Sequence, residues 1–100
     1  MINVKITKDK NIYKEVTICG HAKYDDYGKD IVCSAVSSIA TTTINGILSL
    51  NKDSLVYKSS VGRLKITINS ADKTTQTLIE NMINLLKELE EKYPTNVKVK

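Results

Sequence analysis

Alternation of apolar and polar residues, or β-type composition, marks several short stretches of the chain and predicts strands there. Five runs share this character: residues 2–7, 12–19, 54–59, 63–69 and 96–100. Polar turn residues at 8–11 join the first two runs, and Ser60-Val61-Gly62 joins the next two. The pattern therefore predicts two hairpins and a short last strand.

Apolar residues recur at helical spacing from about Ile31 to Leu50, which predicts the first helix. Asp30 suits its N-cap, because a carboxylate there accepts hydrogen bonds from unpaired N–H groups of the first turn. The run Thr41-Thr42-Thr43 and Gly46 are poor helix formers. We therefore expect packing to hold this helix, with its small residues allowing close approach to a sheet.

A second amphipathic helix is predicted after a cap at Ser70 or Asp72, and it should stop at Tyr93-Pro94 because proline cannot continue the helical ladder. The element order is then β-β-α-β-β-α-β. Two hairpins, each followed by a helix, predict an α+β fold in which one mixed or antiparallel sheet carries both helices. Its 100 residues fit a single domain spanning residues 1–100.

Composition narrows the function only modestly. The chain is 41% hydrophobic without Trp or Phe, which predicts an aliphatic core, and its net charge of +4 fits either an ordinary soluble protein or one that works near RNA. We find no signal-peptide pattern and no apolar run near the roughly 20 residues of a spanning helix, so we expect a cytoplasmic protein without membrane contact. Two cysteines and one histidine predict free thiols, no metal site and no cofactor.

The stretch from Cys19 to Ser38 holds the only histidine and both cysteines. If Asp30 caps the helix, Cys33 lies near its third position, where the partial positive charge of the helix N-terminus favours a reactive thiol. His21 precedes Cys33 by 12 residues, a loop long enough to fold back and bring imidazole to sulfur. The alternatives are a small buried cysteine and a surface histidine.

Several neighbours have two interpretations each. Asp30 either caps the helix or orients His21. The N–H groups of Cys33 and Ser34 are candidates for an oxyanion hole. Three further polar side chains are either substrate contacts or ordinary packing and surface residues: Ser37, Tyr24 and Tyr27. Cys19 is either a buried strand-end residue or a resolving thiol.

The motifs Gly20-His21-Ala22 and Gly28-Lys29-Asp30-Ile31-Val32-Cys33-Ser34-Ala35-Val36-Ser37 resemble the bacterial ribosomal-processing cysteine protease family, Prp. Thr43-Ile44-Asn45-Gly46 and the terminal Tyr93-Pro94 also fit this family, so the resemblance covers essentially the whole chain.

This resemblance implies a homodimeric α+β cysteine endopeptidase. Members remove a short N-terminal extension from the precursor of the twenty-seventh large-subunit ribosomal protein, cutting after aromatic or apolar residues. It makes His21 the base and Cys33 the nucleophile, leaves the role of Asp30 open, and makes residues 22–29 a loop that rearranges for substrate. Nucleic acid is not required for this chemistry.

Two other functions are also consistent with the sequence. A non-enzymatic module that binds ribosomal RNA would use the basic excess and the lysine-rich strands. A thiol redox protein would use Cys33 together with Cys19.

Overall fold

The computed structural model describes residues 1–22, 25–26 and 30–100, and its elements follow the predicted order. Five strands and two helices form: β1 Ile2–Asp9, β2 Ile12–Cys19, α1 Ile31–Leu50, β3 Leu55–Ser60, β4 Arg63–Ile68, α2 Lys73–Lys92 and β5 Val97–Val99. The predicted α+β class is confirmed, and most predicted boundaries agree within a residue or two.

The strands form one mixed sheet in the order β3-β4-β2-β1-β5. Both predicted hairpins are confirmed, since β1–β2 and β3–β4 pair antiparallel, while β5 joins β1 in parallel. A two-residue turn closes the first hairpin, and Lys10 and Asn11 both have positive φ there, as a type I′ turn requires.

Alternation along the strands assigns one face of the sheet to the core. Paired residues share a face, and the pairs Val4–Ile18 and Val16–Ile66 point toward the helices. Both helices contact each other and cover this face, α2 against β5 and β2 and α1 against β3. The resulting core is aliphatic as predicted, with Met82 as its only sulfur-containing fully buried residue among those described.

Side chains also fix where α2 begins and ends. Asp72, rather than Ser70, is the N-cap: its carboxylate accepts from the Thr75 N–H at 3.3 Å, and the Ser70 hydroxyl donates to it at 2.8 Å. The hydrogen bonds from Thr75 and Ser70 lower the pKa of Asp72. At the other end the Tyr93 N–H donates to the Leu89 carbonyl, and Pro94 follows.

The first helix corrects one expectation about its small residues. Gly46 is exposed, and a Cβ built there would meet no atom within 4 Å, so it does not mediate close packing within the chain. The helix instead buries one aliphatic stripe: Val32, Val36, Ala40, Ile44 and Ile47. The Thr43 hydroxyl donates a hydrogen bond to the Ile39 carbonyl at 2.9 Å, so this polar side chain is satisfied within its own helix.

The same helix corrects the expectation about apolar length. Ile31–Leu50 contains no charged residue and is long and apolar enough, by length and composition, to cross a membrane. A core helix meets the same test, and α1 packs its aliphatic stripe into the core, so this property assigns no membrane role.

Adjacent leucines on α2 test the packing. Leu86 is fully buried and Leu85 is 38% exposed. We expect Leu86→Ala to lower the free energy of unfolding by about 2–5 kcal/mol, because it leaves a cavity. Leu85→Ala, the matched control, should cost less than about 1 kcal/mol. Urea titration followed by circular dichroism measures both, and equal losses would contradict this packing.

Candidate active site

Cys33 lies at the third position of α1, as the sequence predicted. The Asp30 carboxylate accepts hydrogen bonds from the N–H groups of Val32 and Cys33, both at 3.0 Å. Asp30 is itself buried, and Cys33 is half-buried beside the core. This cap fixes the first turn of α1 and therefore the position from which the thiol projects.

A second element reaches the sulfur from the end of β2. The Ala22 N–H donates to Cys33 Sγ at 3.3 Å. On the other side of the same residue, the Asn96 amide donates to the Ala22 carbonyl at 2.9 Å. Asn96 precedes β5, and its own carbonyl accepts from the Ile2 N–H at 2.8 Å. The backbone that carries Ala22 is thus held between α1 and the β1–β5 edge.

His21 lies between Gly20 and Ala22, and glycine geometry determines where its ring lies. Gly20 has φ +98°, and a Cβ there would overlap the Met1 carbonyl oxygen. The Gly20 N–H donates to the Gly62 carbonyl at 2.8 Å. Gly62 has φ +70°, and its lack of a side chain leaves room for the imidazole. A Cβ built on Gly62 would lie only 3.1 Å from His21 Nε2. The imidazole therefore packs over the β3–β4 turn.

Cys33 and His21 line the same open groove, of about 870 Å³. One wall is α1, with Ser37, Thr41 and Asn45, and the opposite wall includes Tyr57 and Ser59 of β3. Buried apolar side chains lie between the walls: Ile18, Val36, Ala40 and Ile44. The groove thus combines a polar rim, an apolar base and two reactive groups at one end.

The structure corrects one predicted role for this helix start. The Cys33 N–H already donates to the Asp30 carboxylate, and the Ser34 N–H donates to the Asp30 carbonyl at 3.1 Å. Both groups are engaged in the helix start, so the predicted oxyanion hole from these two N–H groups does not fit this geometry. Ser34 and Ser37 both line the groove, and substrate contact was predicted for Ser37.

Other predicted groups have different outcomes. Tyr24 and Tyr27 lie outside the described residues. Asp30 serves as the helix cap, one of the two roles considered for it. Both cysteines are free, but Cys19 pairs with Asn3 and Arg63 on the uncovered face of the sheet, whereas Cys33 packs beside the core. Cys19 is thus the last residue of β2 and is half-buried rather than buried, and the alternative role as a resolving thiol does not fit the fold. Among the described residues, no three His, Cys, Asp or Glu side chains form a group suited to a metal ion.

Comparison with known proteins agrees with this arrangement. The family model described as cysteine protease Prp matches residues 1–98. The chain belongs to the Prp cysteine protease family. A ribosomal processing cysteine protease Prp from Staphylococcus aureus is 29% identical over 103 residues, covering 99% of this chain and 97% of the relative.

Solved structures extend the match to the fold. A crystal structure of the essential ribosomal processing protease Prp from S. aureus, with a covalently linked product peptide, has a TM-score of 0.92 at 27% identity, covering 99% of this chain and 97% of that one. The S. aureus Prp with a substrate peptide has a TM-score of 0.87 at 26% identity, covering 100% and 98%. SMU.848 from Streptococcus mutans is 32% identical with a TM-score of 0.83, covering 100% and 92%.

Membership in the Prp family makes this chain a cysteine protease.

Two residues of the candidate site, Asn96 and Gly62, were not assigned to it by sequence patterns. Asn96 is 74 residues from Ala22 along the chain, so no local pattern links them. Gly62 was recognised as a turn residue, but its contact with His21 depends on the pairing of β2 with β4.

The Asn96 contact yields a test of this arrangement. We expect Asn96→Ala to speed hydrogen exchange of the Ala22 amide about 2- to 10-fold, because one hydrogen bond contributes about 0.5–1.5 kcal/mol. Amide exchange followed by NMR measures it. Asn84→Ala, at an exposed asparagine on α2, is the control and should leave this amide unchanged. Unaltered Ala22 exchange in Asn96→Ala would contradict the bracing role.

Proposed function

We propose that this chain is a cytoplasmic endopeptidase that removes an N-terminal extension from a large-subunit ribosomal protein precursor, the twenty-seventh in the usual naming. Family membership and the peptide complexes of the S. aureus relative support a peptide substrate. The observation that carries the proposal is one groove lined by both Cys33 and His21, with the backbone next to His21 hydrogen-bonded to the sulfur. Two free cysteines suit a reducing compartment.

In the proposed reaction Cys33 Sγ, as thiolate, attacks the scissile carbonyl carbon, and the carbonyl electron pair moves to oxygen. Collapse of this intermediate breaks the C–N bond, and the His21 imidazolium gives its proton to the departing amine. Water, deprotonated by His21, then attacks the thioester, releases the acid product and restores the thiol and imidazole pair. No metal or cofactor takes part.

The Ala22 N–H is the donor we propose for the oxyanion. It lies 3.3 Å from Cys33 Sγ, and the developing oxygen is attached to the carbon that bonds to this sulfur. The Cys33 and Ser34 N–H groups remain engaged with Asp30. Asp30 then supports catalysis through the helix start, by holding Cys33 in place.

The groove between α1 and β3 is the proposed substrate site. Its buried aliphatic side chains suit the aromatic or apolar residues expected before the cleaved bond. Ser37 lies one turn beyond Cys33 on the rim and is placed to contact the peptide backbone. Tyr24 and Tyr27 remain proposed contacts from the loop that precedes the helix.

We further propose a homodimer formed through β3. Among the described strands, β3 is at the edge of the sheet and pairs only with β4, and Val56 on it and Val61 after it are exposed. An unpaired edge with apolar side chains is a ready site for strand pairing between two copies.

Removal of either reactive group tests the mechanism. We expect Cys33→Ala and His21→Ala each to lower cleavage of the extended precursor by at least roughly 1,000-fold, because the residues act as one unit. Gel analysis and mass spectrometry of the products measure it. Cys19→Ala is the matched control for thiol loss and should retain activity. Cleavage that survives both site substitutions would end this mechanism, and an inactive wild type would favour the rival RNA-binding module.

Oligomeric state tests the proposed edge contact. We expect light scattering to give twice the chain mass for the wild type and the single chain mass for Val56→Glu, because a charge on a pairing edge opposes association. Val56→Thr keeps a β-branched side chain and should remain dimeric. A monomeric wild type, or a dimeric Val56→Glu, would refute the contact through β3.

A further inference from the structure

The face of the sheet opposite the helices carries an unusual share of the positive charge. Strand pairing places two rows of residues across it: Lys98, Asn3, Cys19, Arg63 and Ser60 in one, and Lys100, Lys5, Thr17, Lys65 and Lys58 in the other. We call this surface the open face. Neighbouring strands are about 4.8 Å apart, so each row extends about 19 Å.

The charge on the open face is not balanced by acids. It holds six of the 15 basic residues and, within the described strands, two carboxylates, Glu15 and Asp9 at the end of β1. Glu15 lies 3.6 Å from Lys65, and Glu90 of α2 lies 3.9 Å from Lys98. The remaining nine basic and nine acidic residues of the chain cancel. The net charge of +4 is therefore a property of one surface rather than of the whole molecule.

We propose that the open face is a docking surface for RNA, bound through its phosphates. A flat surface with six cations complements a polyanion, and like-charge repulsion opposes its use between two copies of this chain. Lys58, Arg63 and Lys65 line one shallow depression of about 550 Å³ together with Ser60, whose side chain shares their face, and cations with hydroxyl donors suit phosphate oxygens.

The side chains also indicate the mode of binding. Within the described strands the open face presents no aromatic ring, so bases have no surface on which to stack. Binding should follow the sugar–phosphate backbone with little sequence preference. An anionic membrane is the less favoured partner, because Val56 is the only large exposed apolar side chain that the described strands place on this face.

The open face meets the candidate active site at its edge. Arg63 and Ser60 line both the shallow depression and the groove that contains Cys33 and His21. RNA held on the open face would therefore lie next to the groove without filling it. The docking goes beyond the proposed peptide cleavage and does not depend on it, because the chemistry of Cys33 and His21 requires no cation of the open face.

The test compares two triple variants with the same net charge. Lys5→Gln/Lys58→Gln/Lys98→Gln removes charge from the open face, and the matched control Lys73→Gln/Lys87→Gln/Lys92→Gln removes it from exposed positions on α2. Fluorescence anisotropy of a labelled mixed-sequence 20-nucleotide single-stranded RNA gives the affinity at 50 and 200 mM salt. Circular dichroism verifies that both variants are folded, and Arg63 is left unchanged because it lines the groove.

For about five phosphate contacts, we expect the wild type and the α2 variant to bind roughly 100-fold more weakly at the higher salt. The open-face variant should bind more weakly at 50 mM salt and lose less than about tenfold on going to 200 mM. Equal effects of the two triple variants, no RNA binding by the wild type at 50 mM salt, or preferred binding to vesicles with 30% phosphatidylserine would each overturn the proposal.

Discussion

The hydrogen bond from the Ala22 N–H to Cys33 Sγ is the contact on which the candidate site depends. It joins the end of β2 to the first turn of α1. Each partner is held from its own side, Cys33 by the Asp30 cap and Ala22 by the Asn96 amide. The thiol is therefore positioned by three separated parts of the chain, all anchored to one aliphatic core.

Backbone geometry extends this arrangement to the histidine. Gly20 and Gly62 both adopt positive φ, and the hydrogen bond between them continues the pairing of β2 with β4 beyond its last paired residues. A Cβ at Gly62 would lie 3.1 Å from the imidazole Nε2, close enough that the ring would have to shift by a few tenths of an ångström. The site therefore requires residues without a side chain at Gly20 and Gly62. The positive φ values favour glycine at both positions as well.

The order of strands and helices could be predicted from the sequence because each element is marked by its own local pattern of apolar and polar residues. The caps Asp30 and Asp72, the Pro94 stop and the alternation of β4 are local features, and they placed elements with small errors. Cys33 at the helix start was likewise a local inference. The role of Asn96 and the contact of Gly62 with His21 follow from long-range pairing, which no single stretch of sequence reveals. The engagement of the Ser34 N–H is local, because the carbonyl of an N-cap residue accepts the first hydrogen bond of its helix.

Successive side chains of a strand point to opposite faces of the sheet, so one small sheet can have two chemically different surfaces. Leu64 faces the groove and the core, while its neighbours Arg63 and Lys65 face away from the helices. Aliphatic residues on one side maintain the packing that positions Cys33, so charges on the other side can vary without disturbing it. The two faces of one sheet can therefore have different chemistry, and here six of the 15 basic residues lie on the open face while the buried aliphatic residues lie on the other.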